Sequence, residues 1–334
     1  MDPLRIVAIG GGTGLSTLLH GLKRYAHPQR DVDITAVVTV TDDGGSSGRL
    51  RREFDVLPPG DIRNCMVALS EDEALLSKLF QYRFTDGRGL KGHSFGNLFL
   101  TALTNLTGDF ARAVKLSSEV LASLGRIYPA TGANVILEAE LENGRIIAGE
   151  TRISKSRSRI KRIRTRPRVC RPLPETLEAI EQADVISFGP GSLFTSVIPN
   201  VLVKGIPEAI RSSHALRAYF VNLMWQPGET IAFRASDHVA AINQHAGFNL
   251  FDVVVVNTRS INVRQRRKYA AEDAQPVVND VDRLVDMGLH VVAADLLGEG
   301  DVVRHDPRAT ADVAMELARR GRARRRKIRI LGQK

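Results

Sequence analysis

The residues Gly10-Gly11-Gly12-Thr13-Gly14 lie between an apolar run at 4–9 and a leucine-rich stretch beginning at Leu15. Glycines at such a junction let backbone N–H groups approach a phosphate at a helix N-terminus. A dinucleotide fingerprint would need glycine at 10, 12 and 15, and position 15 is Leu. No Walker lysine follows. The block reads as a phosphate loop of another type, or as a tight turn that holds no ligand.

Other loops carry compatible chemistry. Thr41-Asp42-Asp43-Gly44-Gly45-Ser46-Ser47-Gly48 places two carboxylates after an apolar run. They could hold Mg²⁺ through oxygen ligands, contact a ribose or cap a turn. Pro58-Pro59-Gly60-Asp61-Ile62-Arg63-Asn64 delivers Asp61, Arg63 and Asn64 to a helix start, with Asp61 as a plain N-terminal cap as the alternative. Gly189-Pro190-Gly191-Ser192 suits a second phosphate or hydroxyl contact. Asn222 opens a further loop, 222–230. Asn97, Thr101 and Asn105 share one helix face, which either lines a cleft or faces solvent. No HxxxH or HExxH spacing occurs, so a zinc catalyst is not expected; Ser192 is not in a GxSxG elbow, and nothing identifies a Ser/His/Asp triad.

These loops need a scaffold that gathers them. Apolar runs at 4–9, 34–40, 185–188, 216–221, 253–256 and 291–294 read as buried strands. Helical spacing of Leu15, Leu18, Leu19, Leu22 and Tyr25, and of Phe95, Leu98, Phe99, Ala102, Leu103 and Leu106, marks intervening helices. Repeated strand–helix units predict an α/β fold with a Rossmann-like, mostly parallel sheet and helices on both faces. Ligands in such sheets collect at the carboxyl ends of the strands. A small β-hairpin insertion is expected at about 133–171: arms at 134–141 and 145–153 flank Asn143-Gly144. Beyond it, Arg162, Arg164, Arg166 and Arg168 alternate with other residues, giving an edge segment with one arginine face.

The net charge of +10 is unevenly spread. Residues 151–171 carry ten basic side chains and 319–334 carry nine, neither with an acid, leaving 28 basic and 37 acidic residues elsewhere. We read one α/β domain over 1–318 and a solvated, disordered basic tail over 319–334; nucleic acid is not the expected partner. Two cysteines without CxxC spacing, no leader and no apolar run near ~20 residues point to a reducing cytoplasm without membrane insertion.

Together the blocks at Gly10–Ser16, Thr41–Arg51, Pro58–Asn64, Gly92–Leu103, Gly189–Asn200, Asn222–Thr230 and Arg304–Pro307 resemble the family that contains 2-phospho-L-lactate transferase. The likeness is greatest to its bacterial branch, the gluconeogenesis factors, and spans the chain to about residue 318. For that branch the resemblance implies a cytoplasmic UDP-sugar-binding regulator of cell shape and wall synthesis during growth on gluconeogenic carbon sources. Thr13, Tyr269 and Arg304 would touch UDP-N-acetylglucosamine or a related UDP-sugar. Alternatives kept open are a core-packed Tyr269 and an Arg304 held in a surface ion pair. Trp225 departs from the smaller polar residue expected there. The transferase branch implies instead a Mg²⁺-dependent transfer from a nucleotide-diphospho substrate, with Asp42 and Asp43 serving metal and catalysis. No cofactor is required by the first reading, NAD is a second candidate ligand, and a homo-oligomer is expected.

Overall fold

The computed structural model describes residues 2–26, 32–71, 75–156, 158–270 and 273–331. Arg157 and residues 332–334 of the two basic segments lie outside them. The first half runs β1 (Leu4–Gly10), α1 (Gly12–Ala26), β2 (Val32–Val38), α2 (Gly45–Phe54), α3 (Gly60–Leu69), α4 (Leu75–Gln81), α5 (Phe95–Thr107), α6 (Phe110–Val120) and β3 (Arg126–Pro129). The insertion contributes β4 (Ile136–Leu141), β5 (Ile146–Ala148), α7 (Glu150–Ser154) and β6 (Ile160–Arg166). Then come α8 (Pro174–Gln182), β7 (Val185–Phe188), a π-helical turn (Leu193–Val197), α9 (Ile198–Val201), α10 (Ile206–Ser212), β8 (Leu216–Phe220) and α11 (Ala235–Ala246). The chain closes with β9 (Val253–Asn257), α12 (Val263–Ala270), α13 (Val281–Asp286), β10 (His290–Ala294) and α14 (Pro307–Leu331).

Seven parallel strands form one sheet in the order β10-β9-β8-β7-β1-β2-β3. The chain winds outward from β1 to β3, then restarts at β7 on the other side of β1. Crossovers therefore diverge between β1 and β7, the switch point where open α/β sheets take ligands. The consecutive burial of Ile6–Gly10 requires cover on both sheet faces. Leu15, Leu18, Leu19 and Leu22 are fully buried on the inner stripe of α1, which packs on α3 and α14.

Four sequence expectations need correction. The strand ending at Ala294 is not buried; it pairs only with β9 and forms a sheet edge. The second hairpin arm is strand only over Ile146–Ala148, because the chain turns at Gly149, φ 98°, into α7. In α5 the buried face is Gly96, Asn97, Leu100 and Thr101, while Leu106 is 82% exposed. There the inward polar side chains find partners, and the apolar stripe is left half-covered. The basic tail, expected to be disordered, continues α14 to Leu331. Its anchors are polar rather than apolar: Arg322 Nε donates to Asp184 at 3.0 Å and Arg322 Nη1 to the Asp2 carbonyl at 2.9 Å. The arginine face of β6 is as expected for Arg162, Arg164 and Arg166, with Ile163 and Thr165 buried beneath; Arg168 lies past the strand end. Arg164 and Arg166 face Glu140 and Glu138 of β4.

Candidate functional site

At the switch point the first two loops close on each other. A Cβ on Gly14 would collide with the Pro190 and Gly191 backbone, so only glycine lets the loop after β1 touch the loop after β7. Gly12 has φ +63°, the left-handed region. Between these loops opens a cavity of about 460 Å³. Gly11, Gly12, Thr13 and Gly14 form one wall, Gly191 and Ser192 the next, and Asn222 to Gln226 a third. Tyr269 and Arg304 complete it from the end of α12 and the segment before α14.

The polar groups of this cavity are held by one another. Gln226 Nε2 donates to Ser192 Oγ at 2.6 Å, and Asn222 Nδ2 donates to Gln226 Oε1 at 3.1 Å. Tyr269 is half-buried beside a satellite cluster of Leu223, Met224, Ile261, Ala274 and Leu297, and its hydroxyl accepts from the Val303 N–H at 3.1 Å. Arg304 is exposed at the rim and, among the described residues, has no carboxylate within ion-pairing distance. Trp225 lines the cavity and is fixed by its Nε1 donating to the Phe233 carbonyl at 3.1 Å. His305 is pushed down to about 4 by burial, so its imidazole is neutral at pH 7.

Three expected contacts fall elsewhere. Gly10 ends β1, and its carbonyl accepts from the Thr39 N–H at 2.8 Å, so it supports the loop without lining the cavity. Asn97 is buried in a network with Arg63, Ser94 and Ser47. Asn64 accepts from Arg63 Nη2 at 2.6 Å and lines a separate, adjoining cavity. Sequence spacing could place Asn97 on a helix face, but could not say that Arg63 would claim it.

The acidic pair divides its work. Asp43 Oδ1 accepts from the Thr151 N–H at 2.9 Å and the Thr151 hydroxyl at 2.6 Å, tying the insertion to the sheet edge. Asp42 Oδ1 accepts from the Gly44 N–H at 2.8 Å and shares an electrostatic neighbourhood with Asp61 and Glu150. Neither lines the cavity of Thr13, Tyr269 and Arg304, although both follow β2, the strand beside the one that ends in the glycine loop. Asp61 does not cap α3; it accepts from the Gly12 N–H and lies where any side chain on Gly11 would have to go. Burial first, then the Asp42 charge, raise the Asp61 carboxyl to about 7. Burial, then Asp42 and Asp61, raise Glu150 to about 9.

Glu229 was not legible as a site residue. It is buried, with its pKa raised by burial, and accepts from the Phe194 N–H at 3.0 Å, Thr195 Oγ1 at 3.1 Å and Ser154 Oγ at 3.3 Å. It thereby locks the π-helical turn to the insertion, which sends Ser154 into the cavity wall. Among the described residues no three His, Cys, Asp or Glu side chains form a closed metal cage. The carboxyls of Asp61, beside Gly11 and Gly12, and of Asp42, beside Gly44 and Gly60, instead suit a cation whose remaining ligands are phosphate oxygens.

A seven-stranded parallel sheet with helices on both faces and a glycine loop at its switch point defines a Rossmann-like α/β protein. Residues 6–297 match the 2-phospho-L-lactate transferase CofD family model, and the chain belongs to that family. Within it the chain is 49% identical over 314 residues to a gluconeogenesis factor of Bacillus subtilis, covering 94% of this chain and 98% of the relative. Identity to the gluconeogenesis factor of Halalkalibacterium halodurans is 48% over 317 residues, 95% and 97% of the two chains. A crystal structure of a Bacillus halodurans protein superposes with a TM-score of 0.90 at 48% identity, covering 95% of this chain and 99% of that one. Among the described residues no single helix is long and apolar enough to cross a membrane.

Proposed function

We propose that the protein is a cytoplasmic UDP-sugar-binding regulator, acting on cell shape and wall synthesis during growth on gluconeogenic carbon sources, with UDP-N-acetylglucosamine or a related UDP-sugar as its ligand. The observation that carries this reading is the shared cavity of Thr13, Tyr269 and Arg304, three residues far apart in sequence. The loop N–H groups and the Thr13 hydroxyl suit a diphosphate. Arg304, without a carboxylate partner, supplies a charge-assisted bond, and the flat face of Tyr269 suits a uracil ring. The protein acts as a homo-oligomer under this proposal.

A second reading, Mg²⁺-dependent transfer from a nucleotide-diphospho substrate, draws support from the crowding of Asp42, Asp61 and Glu150 beside the glycine loop. Asp42 and Asp61 would hold the ion, which would neutralise diphosphate charge. Calorimetry with UDP-N-acetylglucosamine and NAD, with and without Mg²⁺, separates these readings. Arg304→Ala should weaken UDP-sugar binding by about 1.5–3 kcal/mol, the worth of a hydrogen bond to a charged group. No heat of binding for any UDP-sugar, or an Arg304→Ala protein that binds as tightly as wild type, overturns the first reading.

A further inference from the structure

Adjoining the nucleotide cavity along α1 lies a second cavity of about 590 Å³, which shares Thr13 and Thr17 with the first. Its described lining is basic: Lys23 from α1, Arg63 from α3 and Lys78 from α4, with no carboxylate among the described residues. Arg63 is the informative member. Its guanidinium donates only to neutral oxygens, Ser94 Oγ at 2.6 Å, Asn97 Oδ1 at 3.2 Å and Asn64 Oδ1 at 2.6 Å. Its buried Nε has no partner, and no carboxylate among the described residues lies within ion-pairing distance. Burial lowers the pKa of this group, with the Arg83 charge adding to that. Asp61 and Asp42 offset part of its charge from beyond ion-pairing distance, but among the described residues no carboxylate meets it on the cavity side. The same three neutral partners fix the orientation of the guanidinium on the cavity wall and leave one Nη2 N–H to meet an anion.

We propose that this second cavity binds a small molecule carrying a phosphate or carboxylate group, with Arg63 and Lys23 as its countercharges. The site is distinct from the nucleotide cavity and does not depend on the UDP-sugar reading. The shared wall at Thr13 and Thr17 puts the two ligands within one helix turn of each other, and α3 joins them, carrying Asp61 toward the glycine loop and Arg63 toward the second cavity.

The test is equilibrium dialysis of the full-length chain against labelled inorganic phosphate and, separately, labelled citrate. Wild type, Arg63→Gln, Lys23→Gln and Arg304→Ala are compared, each with and without excess UDP-N-acetylglucosamine. Saturable binding of at least one anion, weakened about tenfold in Lys23→Gln and unchanged in Arg304→Ala, is the expected result. Preference between the two probes tells a phosphate ligand from a carboxylate one. Should Arg63→Gln fail to fold, Lys23→Gln alone decides. Binding that survives Lys23→Gln intact, that is lost in Arg304→Ala, or that does not occur with either anion overturns the proposal. A chain that binds no UDP-sugar yet binds phosphate through Lys23 would refute the proposed function and leave this site standing.

Discussion

At the amino end of the sheet, the Asp184 side chain is 1% exposed and is met by the Arg5 N–H at 2.9 Å, by Arg322 and by Arg325. Asp252, just before β9, likewise accepts from the Arg217 N–H at 3.0 Å and from Arg217 Nε at 2.9 Å, with Arg324 beyond. At the carboxyl end, Asp42, Asp61 and Glu150 crowd one another, and no arginine or lysine within 4 Å answers them among the described residues. One residue type thus serves two ends. Where cations meet the carboxylates, burial is made tolerable and the groups hold the fold. Where they do not, the carboxyls of Asp61 and Glu150 are driven toward their neutral forms, a pattern that clusters at functional sites.

The comparison breaks most easily at Asp184. Deleting residues 321–334 removes Arg322 and Arg325 and strands a buried charge, which typically costs about 3–5 kcal/mol. Urea unfolding of the truncated chain should show that loss, with the UDP-sugar binding proposed above unchanged in the remaining folded fraction. A truncated protein as stable as the full chain would mean that the helical tail is an ornament and that Asp184 is satisfied by the Arg5 N–H alone.

A smaller effect is expected at Asp252. Burial alone would raise its pKa, but hydrogen bonds from Arg217 and the charges of Arg217 and Arg324 outweigh that and lower it. A depressed carboxyl contributes stability above its unfolded value near 3.8, and the contribution is lost as pH falls through the folded value. Asp252→Asn should therefore cost about 1.5–3 kcal/mol at pH 7. The difference between variant and wild type should close as unfolding is followed into strong acid. A gap that stays constant down to pH 2 would show that shape, not charge, is what Asp252 supplies.

Much of this division was readable in advance, and the unreadable part has physical causes. The glycine loop and all but one of the strands of the large sheet follow from apolar runs that end in Gly, Thr, Asn or Asp, since local pattern alone decides them. β3 escapes because Arg126–Pro129 is four residues long and ends in proline, a weak strand signal even at a sheet edge. The helical tail escapes because an arginine run has no apolar face; what orders it is Asp184, 138 residues away from Arg322. The inward turn of Asn97 depends on Arg63, and the site role of Glu150 depends on an insertion folding back over Asp43. Gathering Thr13, Tyr269 and Arg304 needed the family resemblance, because no spacing rule connects them.

The smallest effect, and the one of opposite sign, is expected at Glu150. Its carboxyl rises from 4.5 to about 9 on folding, through burial and then through Asp42 and Asp61. A raised group contributes its full stability below the unfolded value, and that contribution drains away as pH rises through the folded value. Between about 4.5 and 9 the folded chain keeps a proton that the unfolded chain has released, so wild-type stability falls with pH across that window. Glutamine copies the shape of the neutral acid and has no proton to lose. Glu150→Gln should therefore match wild type near pH 4.5 and melt higher by pH 8. Melting curves at intervals from pH 5 to 9 give the test. A variant that is less stable than wild type at pH 8 would require an ionised Glu150 with a cation beside it, and the contrast between the two ends of the sheet would fail. Added Mg²⁺ sharpens the result: an ion held by Asp42 and Asp61 weakens their repulsion of Glu150, so the advantage of glutamine should shrink when Mg²⁺ and a diphosphate ligand are supplied together.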